Sequence, residues 1–191
     1  MNELDSQLES TNGVSGKFYG KYRGTVFNNL DPLQLGRIQV MVPDVLGLTP
    51  SSWAMPCVPI AGKQEGTFFV PQIGAGVWVE FEQGEPDYPI WVGGFWGVAA
   101  EIPALALAPP APPPGQNIVI QTTGQNTLLL SDVPGPTGGI MLRSTTGAMV
   151  LVNDMGITIS NGKGASILMT GPSITITGQP VNVNNGALTI L

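Results

Sequence analysis

Written in sevens from Gly164, the C-terminal residues read GASILMT, GPSITIT, GQPVNVN and NGALTIL, and this period constrains the fold of the 191-residue chain more than any other feature. Each unit sets apolar side chains at its fourth and sixth positions: Ile167 and Met169, Ile174 and Ile176, Val181 and Val183, Leu188 and Ile190. The same unit recurs upstream with spacers, as GQNIVIQ from Gly115, QNTLLLS from Gln125, TGGIMLR from Thr137, GAMVLVN from Gly147 and DMGITIS from Asp154. These copies add Ile118 and Ile120, Leu128 and Leu130, Ile140 and Leu142, Val150 and Val152, and Ile157 and Ile159 to the expected core.

A seven-residue period also suits a coiled coil. Here a Gly, Pro, Asn or Asp stands near the start of each unit and strict alternation follows, which excludes a helix and predicts one short strand per unit. Seven is odd, so an unbroken strand would put Ile167 and Ile174 on opposite faces. A bend must therefore reset the face in every unit, and Gly171-Pro172, Gly178-Gln179-Pro180 and Asn185-Gly186 stand where those bends are needed.

The spacers run 3, 5, 3, 0, 3, 0, 0 and 0 residues, so the nine-unit β-solenoid tapers towards its C-terminus. Two apolar residues per strand close little core in one chain, whereas three chains wound together bury both along a common axis. At ~4.8 Å between strands, a three-chain prism is about 43 Å long and a single-chain solenoid of three units per turn only about 14 Å. The trimer is the expected form.

Residues 98–114 separate this half from a different one. Six prolines fall in PALALAPPAPPP, which predicts an extended, stiff linker, the alternative being a Pro-rich ligand for an aromatic groove. All 13 aromatic residues and 15 of the 20 charged residues precede it. Residues 18–97 read as short strands at 18–27, 36–42, 66–70, 76–82 and 90–95, with nothing convincingly helical. Five strands in about eighty residues suit a small antiparallel barrel of OB size.

The composition excludes several chemistries. With no histidine there is no Ser-His-Asp or Cys-His pairing, no His-ligated metal and no near-neutral proton shuttle, so an enzyme would have to run on carboxylates. A net charge of −6 repels phosphate backbones, and no nucleic-acid partner is expected. Cys57 cannot form an internal disulfide, and its Met55-Pro56 and Val58-Pro59 flanks predict a packed, unreactive thiol. The polar N-terminus MNELDSQLES lacks the basic and apolar regions of a secretory signal, and the apolar stretch 98–108 is too short to span a bilayer, which predicts a soluble chain made in the cytoplasm.

The first half also carries an ordered series of residues: Gly24-Thr25-Val26, Asn28-Asn29, Asp31-Pro32, Gly36-Arg37-Ile38-Gln39-Val40, Pro43, Trp53, Gly62, Gly66, Phe69, Pro71-Gln72-Ile73-Gly74, Val77-Trp78-Val79 with Phe81, Gly84-Glu85-Pro86-Asp87 and Pro89-Ile90-Trp91-Val92-Gly93. This series resembles the OB-fold domain of the phage baseplate spike family: baseplate assembly protein V, the T4-type central spike and the VgrG proteins of type VI secretion. The expected fold is then all-β: an OB-fold barrel at 18–97, a Pro-rich linker, and a triple-stranded β-helix over 115–191 formed by a homotrimer.

The resemblance implies a structural, non-enzymatic spike at the tip of a contractile injection apparatus, the alternative being an OB-fold ligand-binding module with a trimerising tail. It implies barrels seated on a separate hub protein, since the chain has no room for the hub domain of VgrG proteins, with residues 1–17 as an arm that meets the hub. The prism would point outward and touch the target membrane transiently. No lysozyme-like segment lies between barrel and prism, so no hydrolase activity carries over. Some relatives hold an apex metal through an HxH motif, and without histidine neither metal nor cofactor is expected. The chain ends on Leu188, Ile190 and Leu191, a blunt apolar tip that either plugs the prism or takes a separate cap similar to the PAAR-repeat cones.

The remaining constellations read as structure. Glu80, Glu82, Glu85 and Asp87 look like a solvated barrel face and its turn rather than paired catalytic carboxylates or a calcium loop. Gly74-Ala75-Gly76 and Gly62-Lys63 lack the rest of any nucleotide-binding fingerprint. Trp53, Trp78, Trp91, Trp96, Phe68 and Phe69 read as core or inter-subunit packing, and Arg37 as half of a buried or interfacial ion pair whose partner the sequence leaves open.

Overall fold

Alternation builds the first unit. In β1 (Tyr22–Asn28) Gly24 and Val26 point inward, and in β6 (Gly76–Phe81) Val77, Val79 and Phe81 do, while Arg23, Thr25 and Phe27 face out. The computed structural model describes residues 16–108, 117–183 and 188–190 and divides the chain into two units, Met1–Ala99 and Ala100–Leu191.

With β2 (Gln39–Met41), β3 (Met55–Pro56) and β7 (Pro89–Phe95), these strands form one five-stranded sheet in the order β2-β1-β6-β7-β3. Its pairs are antiparallel except β3 on β7, which is parallel. The sheet closes on itself just before β3: Ile38 and Ala54 exchange both backbone hydrogen bonds, at 3.2 and 2.7 Å. This is the small barrel the sequence predicts. Val26, Ile38, Val40, Ala54, Val77, Val79, Phe81 and Trp91 fill its core. Each such side chain contributes about 1.5–3 kcal/mol on leaving water.

Two local readings need correction. A one-turn helix, α1 (Pro43–Leu46), stands where none was expected. Pro43 opens it with a pre-set φ, Val45 buries against the barrel, and Gly47 closes it at φ +59° by donating to the Pro43 carbonyl at 3.1 Å. The strand expected over 66–70 is only the second arm of a small hairpin, β4 (Ala61–Gly62) on β5 (Glu65–Gly66). Phe68 and Phe69 are both exposed, so residues 67–70 have no alternating face to bury.

Among the described residues of the second unit, nine strands fall on the nine repeat units, β8 to β14 starting at the third position of their units and β15 and β16 at the fourth. They are β8 (Asn117–Gln121), β9 (Thr127–Ser131), β10 (Gly139–Arg143), β11 (Met149–Asn153), β12 (Gly156–Ser160), β13 (Ser166–Thr170), β14 (Ser173–Thr177), β15 (Val181–Val183) and β16 (Leu188–Ile190). Strands β8 to β14 pair in chain order as one seven-stranded antiparallel meander, and β15 with β16 forms a separate pair. The face is thus reset by chain reversal. Gly171-Pro172 is the whole loop between paired Thr170 and Ser173, with Gly171 at φ +54°, as a two-residue hairpin starting with Gly requires. Asn185-Gly186 lies outside the described residues. The closed three-units-per-turn solenoid is not how the repeats pair.

The segment before this sheet is not wholly extended. Short 3-10 turns form at Ala99–Glu101 and Ala104–Ala106, and residues from Ala100 belong to the second unit. Asn117 Nδ2 donates to the Leu105 carbonyl at 2.9 Å, tying the second turn to β8. Residues 109–116, which hold the densest prolines, lie outside the described residues.

Candidate functional site

The register of the meander sorts the repeat residues into two faces. Opposite pairs such as Ile118↔Leu130, Leu130↔Ile140, Ile140↔Val152, Val152↔Ile157, Ile157↔Met169 and Met169↔Ile174 form one column across the sheet. Beside it runs a second column of Ile120, Leu128, Leu142, Val150, Ile159, Ile167 and Ile176. Every fourth- and sixth-position residue of β8 to β14 therefore shares one face. In the single chain that face is in water: Ile118 is 64% exposed and Ile174 68%, with Ile120, Leu130, Ile140, Leu142, Val150, Val152, Ile159 and Ile176 also exposed.

The opposite face carries an apolar centre that the repeat reading missed. Val119, Leu129, Met141 and Leu151, the fifth residues of the first four units, stand in register across β8 to β11. Leu129 is only 5% exposed and Met141 8%. Leu105 and Ala108 stand over Leu129, Met141 and Leu151 around a cavity of about 210 Å³. The signal was in the sequence, since these fifth positions turn to Thr158, Leu168 and Thr175 only in later units. The chain thus covers the fifth positions of β9 to β11 and leaves the fourth and sixth positions uncovered.

In the barrel, Asp31, Pro32, Gly36, Arg37 and Trp53 of the ordered series gather around one ion pair. Arg37 donates from Nε and Nη2 to Asp31 Oδ1 at 3.1 and 2.6 Å, which supplies the partner the sequence left open. The same carboxylate accepts the backbone N–H of Leu33 at 2.9 Å, Leu35 at 2.8 Å and Arg37 at 3.3 Å, so the turn begun by Asp31-Pro32 winds around it. The Arg37 guanidinium, helped by these N–H groups and opposed by burial, holds the Asp31 carboxyl far below the usual carboxylate range. Asp31 in turn raises the Arg37 pKa. The guanidinium lies 5.4 Å over the Trp53 ring. Next to it Gly36, at φ +75°, turns its carbonyl to the buried Trp91 Nε1 at 3.1 Å.

Other residues of the series hold the backbone or pack the core. A Cβ on Gly24 would meet Val79 Cγ2 at 3.0 Å. Pro71 accepts from Asn29 Nδ2 at 3.0 Å, Gly74 donates to Val26 at 2.9 Å, and Gly84 accepts from Phe18 at 2.8 Å. Phe81 packs on Tyr22 with ring centres 5.6 Å apart. Pro43 opens α1, Gly62 lies in the β4–β5 hairpin, and Pro86 sits in the turn closed by Tyr88 N–H on the Glu85 carbonyl at 3.0 Å. Pro89 is fully buried, and Gly93 faces Trp78 beside a bulge that leaves Val92 unpaired. These residues shape the turns and strands of the barrel unit.

Glu80 and Glu85 pair with Lys21 and Lys17 on the surface, and no group of three or more candidate metal ligands occurs among the described residues. Trp91 is core, whereas Trp96, Phe68 and Phe69 are exposed. Cys57 is exposed too, which corrects the packed thiol: its N–H pairs with the Trp91 carbonyl at 2.9 Å, and the strand turns its side chain outward. Leu188 and Ile190 lie in β16, paired with Val183 and Val181, and Leu191 lies outside the described residues, as do residues 1–15 of the expected arm. No described helix is long and apolar enough to cross a membrane.

Comparison with known families agrees with both halves. Residues 22–96 match the type VI secretion system/phage-baseplate injector OB domain, and residues 117–189 match the phage baseplate V C-terminal trimerisation domain. No curated protein matches the chain. Both matched families are structural parts of baseplates, and together they cover most of the sequence. The barrel closed through Ile38 and Ala54, followed by a repeat sheet with one uncovered apolar face, belongs to the phage baseplate assembly protein V family of spike proteins.

Proposed function

We propose that three copies of the chain assemble into the central spike of a contractile injection apparatus, a phage tail or a tail-like particle. The uncovered apolar face of β8 to β14 carries this reading. Two columns of Ile, Leu, Val and Met seven strands deep would cost a monomer its solubility, and a three-fold axis facing them buries all of them at once. Seven strands at ~4.8 Å make a shaft of about 34 Å before the β15–β16 pair. Its backbone is hydrogen-bonded strand to strand, and the tightest loops, such as Gly171-Pro172, lie towards the C-terminus.

In this reading the barrels sit on a separate hub protein, and sheath contraction drives the tapered shaft through the target envelope. The role is mechanical, with no reaction and no cofactor. A separate PAAR-like protein caps the end formed by Leu188, Ile190 and Leu191. Light scattering on the purified full chain tests the assembly: a mass of three times 19.9 kDa is expected, and a monomer would overturn the spike.

A further inference from the structure

The sequence from 115 to 191 holds four charged residues, Asp132, Arg143, Asp154 and Lys163, and the meander separates them by sign. Successive strands run in opposite directions, so the turns alternate between the two edges of the sheet. Asp132, just past the end of β9, and Asp154, in the β11–β12 turn, lie at one edge. Arg143, the last residue of β10, and Lys163, in the β12–β13 turn, lie at the other. Asp154 spends Oδ2 on the Gly135 N–H at 2.9 Å. Among the described residues none of the four has an ion-pair partner within the chain.

We propose that the acidic edge of one protomer docks against the basic edge of the next, Asp132 on Arg143 and Asp154 on Lys163, and so sets the register of the trimer. This rests on the trimeric reading above. A three-fold ring joins unlike edges at each corner, whereas a two-fold pairing of like edges would bring acid against acid. The axial positions agree as well. Asp132 leaves the second strand of the sheet and Arg143 ends the third; Asp154 follows the fourth and Lys163 follows the fifth. One shift of about one strand, ~4.8 Å, therefore aligns both pairs together. The apolar columns are nearly uniform along the shaft and tolerate such slips, so the charges supply the specificity that packing lacks.

Zero-length carbodiimide coupling on the full chain, read by peptide mass spectrometry beside its solution mass, tests the pairing. Within one chain Asp154 and Lys163 lie at opposite ends of a five-residue strand, roughly 17 Å apart, so an amide between them must join two chains. The expected result is a trimer carrying that link, at least a tenfold loss of it in K163R with the trimer kept, and a new link from Asp132 to position 143 in R143K. A trimeric mass without these links overturns the edge pairing and leaves the trimer standing. A monomeric mass overturns both.

Discussion

Arg37 and Asp31, six residues apart, share a single carboxylate oxygen through two donors, Nε at 3.1 Å and Nη2 at 2.6 Å. The side chains are 17% and 4% exposed, so the pair is shielded, and the second Asp31 oxygen is taken by the backbone of its own loop. The pair fixes the path from β1 into β2 and places Gly36 for the Trp91 indole. The pair is thus an element of the barrel's fold.

Its pH dependence follows from the depressed Asp31 carboxyl. An ordinary carboxylate titrates near pH 3.9, so on acidification the unfolded chain takes up the proton first. The stabilisation is complete above about pH 4 and is lost as the pH falls towards the lower folded value. Asp31→Asn is expected to unfold at lower urea than the parent near neutral pH, with the gap closing below about pH 4. Urea midpoints at neutral and acidic pH check this; a gap that widens on acidification contradicts it.

Trp91→Phe keeps an aromatic ring in the core but leaves the Gly36 carbonyl without its donor. Loss of a buried partner costs about 1–3 kcal/mol. Urea unfolding of the barrel is expected to report that loss, whereas Trp96→Phe, at an exposed ring, is expected to change stability by less than about 0.5 kcal/mol.

Lys21–Glu80 and Lys17–Glu85 are surface pairs, and each contributes at most about 1 kcal/mol. Glu80→Gln together with Glu85→Gln is expected to leave the unfolding midpoint nearly unchanged and its salt dependence flatter. A large loss of stability would mean that the acidic cluster is more than a solvated face.

The repeat half was legible strand by strand because its two signals coincide. Gly, Pro or Asn stops a strand at the unit boundary, and alternation then fixes the next one, so strands such as Ser166–Thr170 and Ser173–Thr177 fall where units of seven place them. The pairing was less legible. A bend that starts a new solenoid face and a hairpin that reverses the chain use the same residues at Gly171-Pro172, and only hydrogen-bond partners tell them apart. The covered fifth positions were overlooked because Leu129 and Met141 break the polar half of the alternation and depend on residues 105–108, read as plain linker. In the barrel, Asp31 and Arg37 both stand in the ordered series, but their contact depends on a loop that doubles back, which spacing alone does not reveal. The four-residue α1 is below the length at which periodicity can be seen.

Gly156 shows how tightly the meander is drawn. It sits at φ +132° opposite Asn153, and a Cβ there would run into the Met169 backbone carbonyl of the neighbouring strand. Gly156→Ala must displace β12 from β13, and a loss of at least about 2 kcal/mol is expected. Thermal unfolding checks it, with Gly164→Ala as comparison: Gly164 also has positive φ but open space around it, so only the smaller backbone strain applies.

The two faces of the meander make opposite predictions for the same kind of change. Ile140 lies in the uncovered face between Leu130 and Val152, and Leu168 is exposed on the other face between Thr158 and Thr175. In an isolated chain a glutamate is tolerated at either, because both are open to water. Around a three-fold axis, Ile140→Glu forfeits about 2–3 kcal/mol of apolar burial per chain and brings three carboxylates together out of water. Leu168→Glu stays solvated on the outside. Ile140→Glu is therefore expected to lower the solution mass from three chains to one, and Leu168→Glu to leave it at three. Dissociation by Leu168→Glu alone would place the axis on the opposite face, and trimers from both variants would mean that the uncovered columns are not the interface.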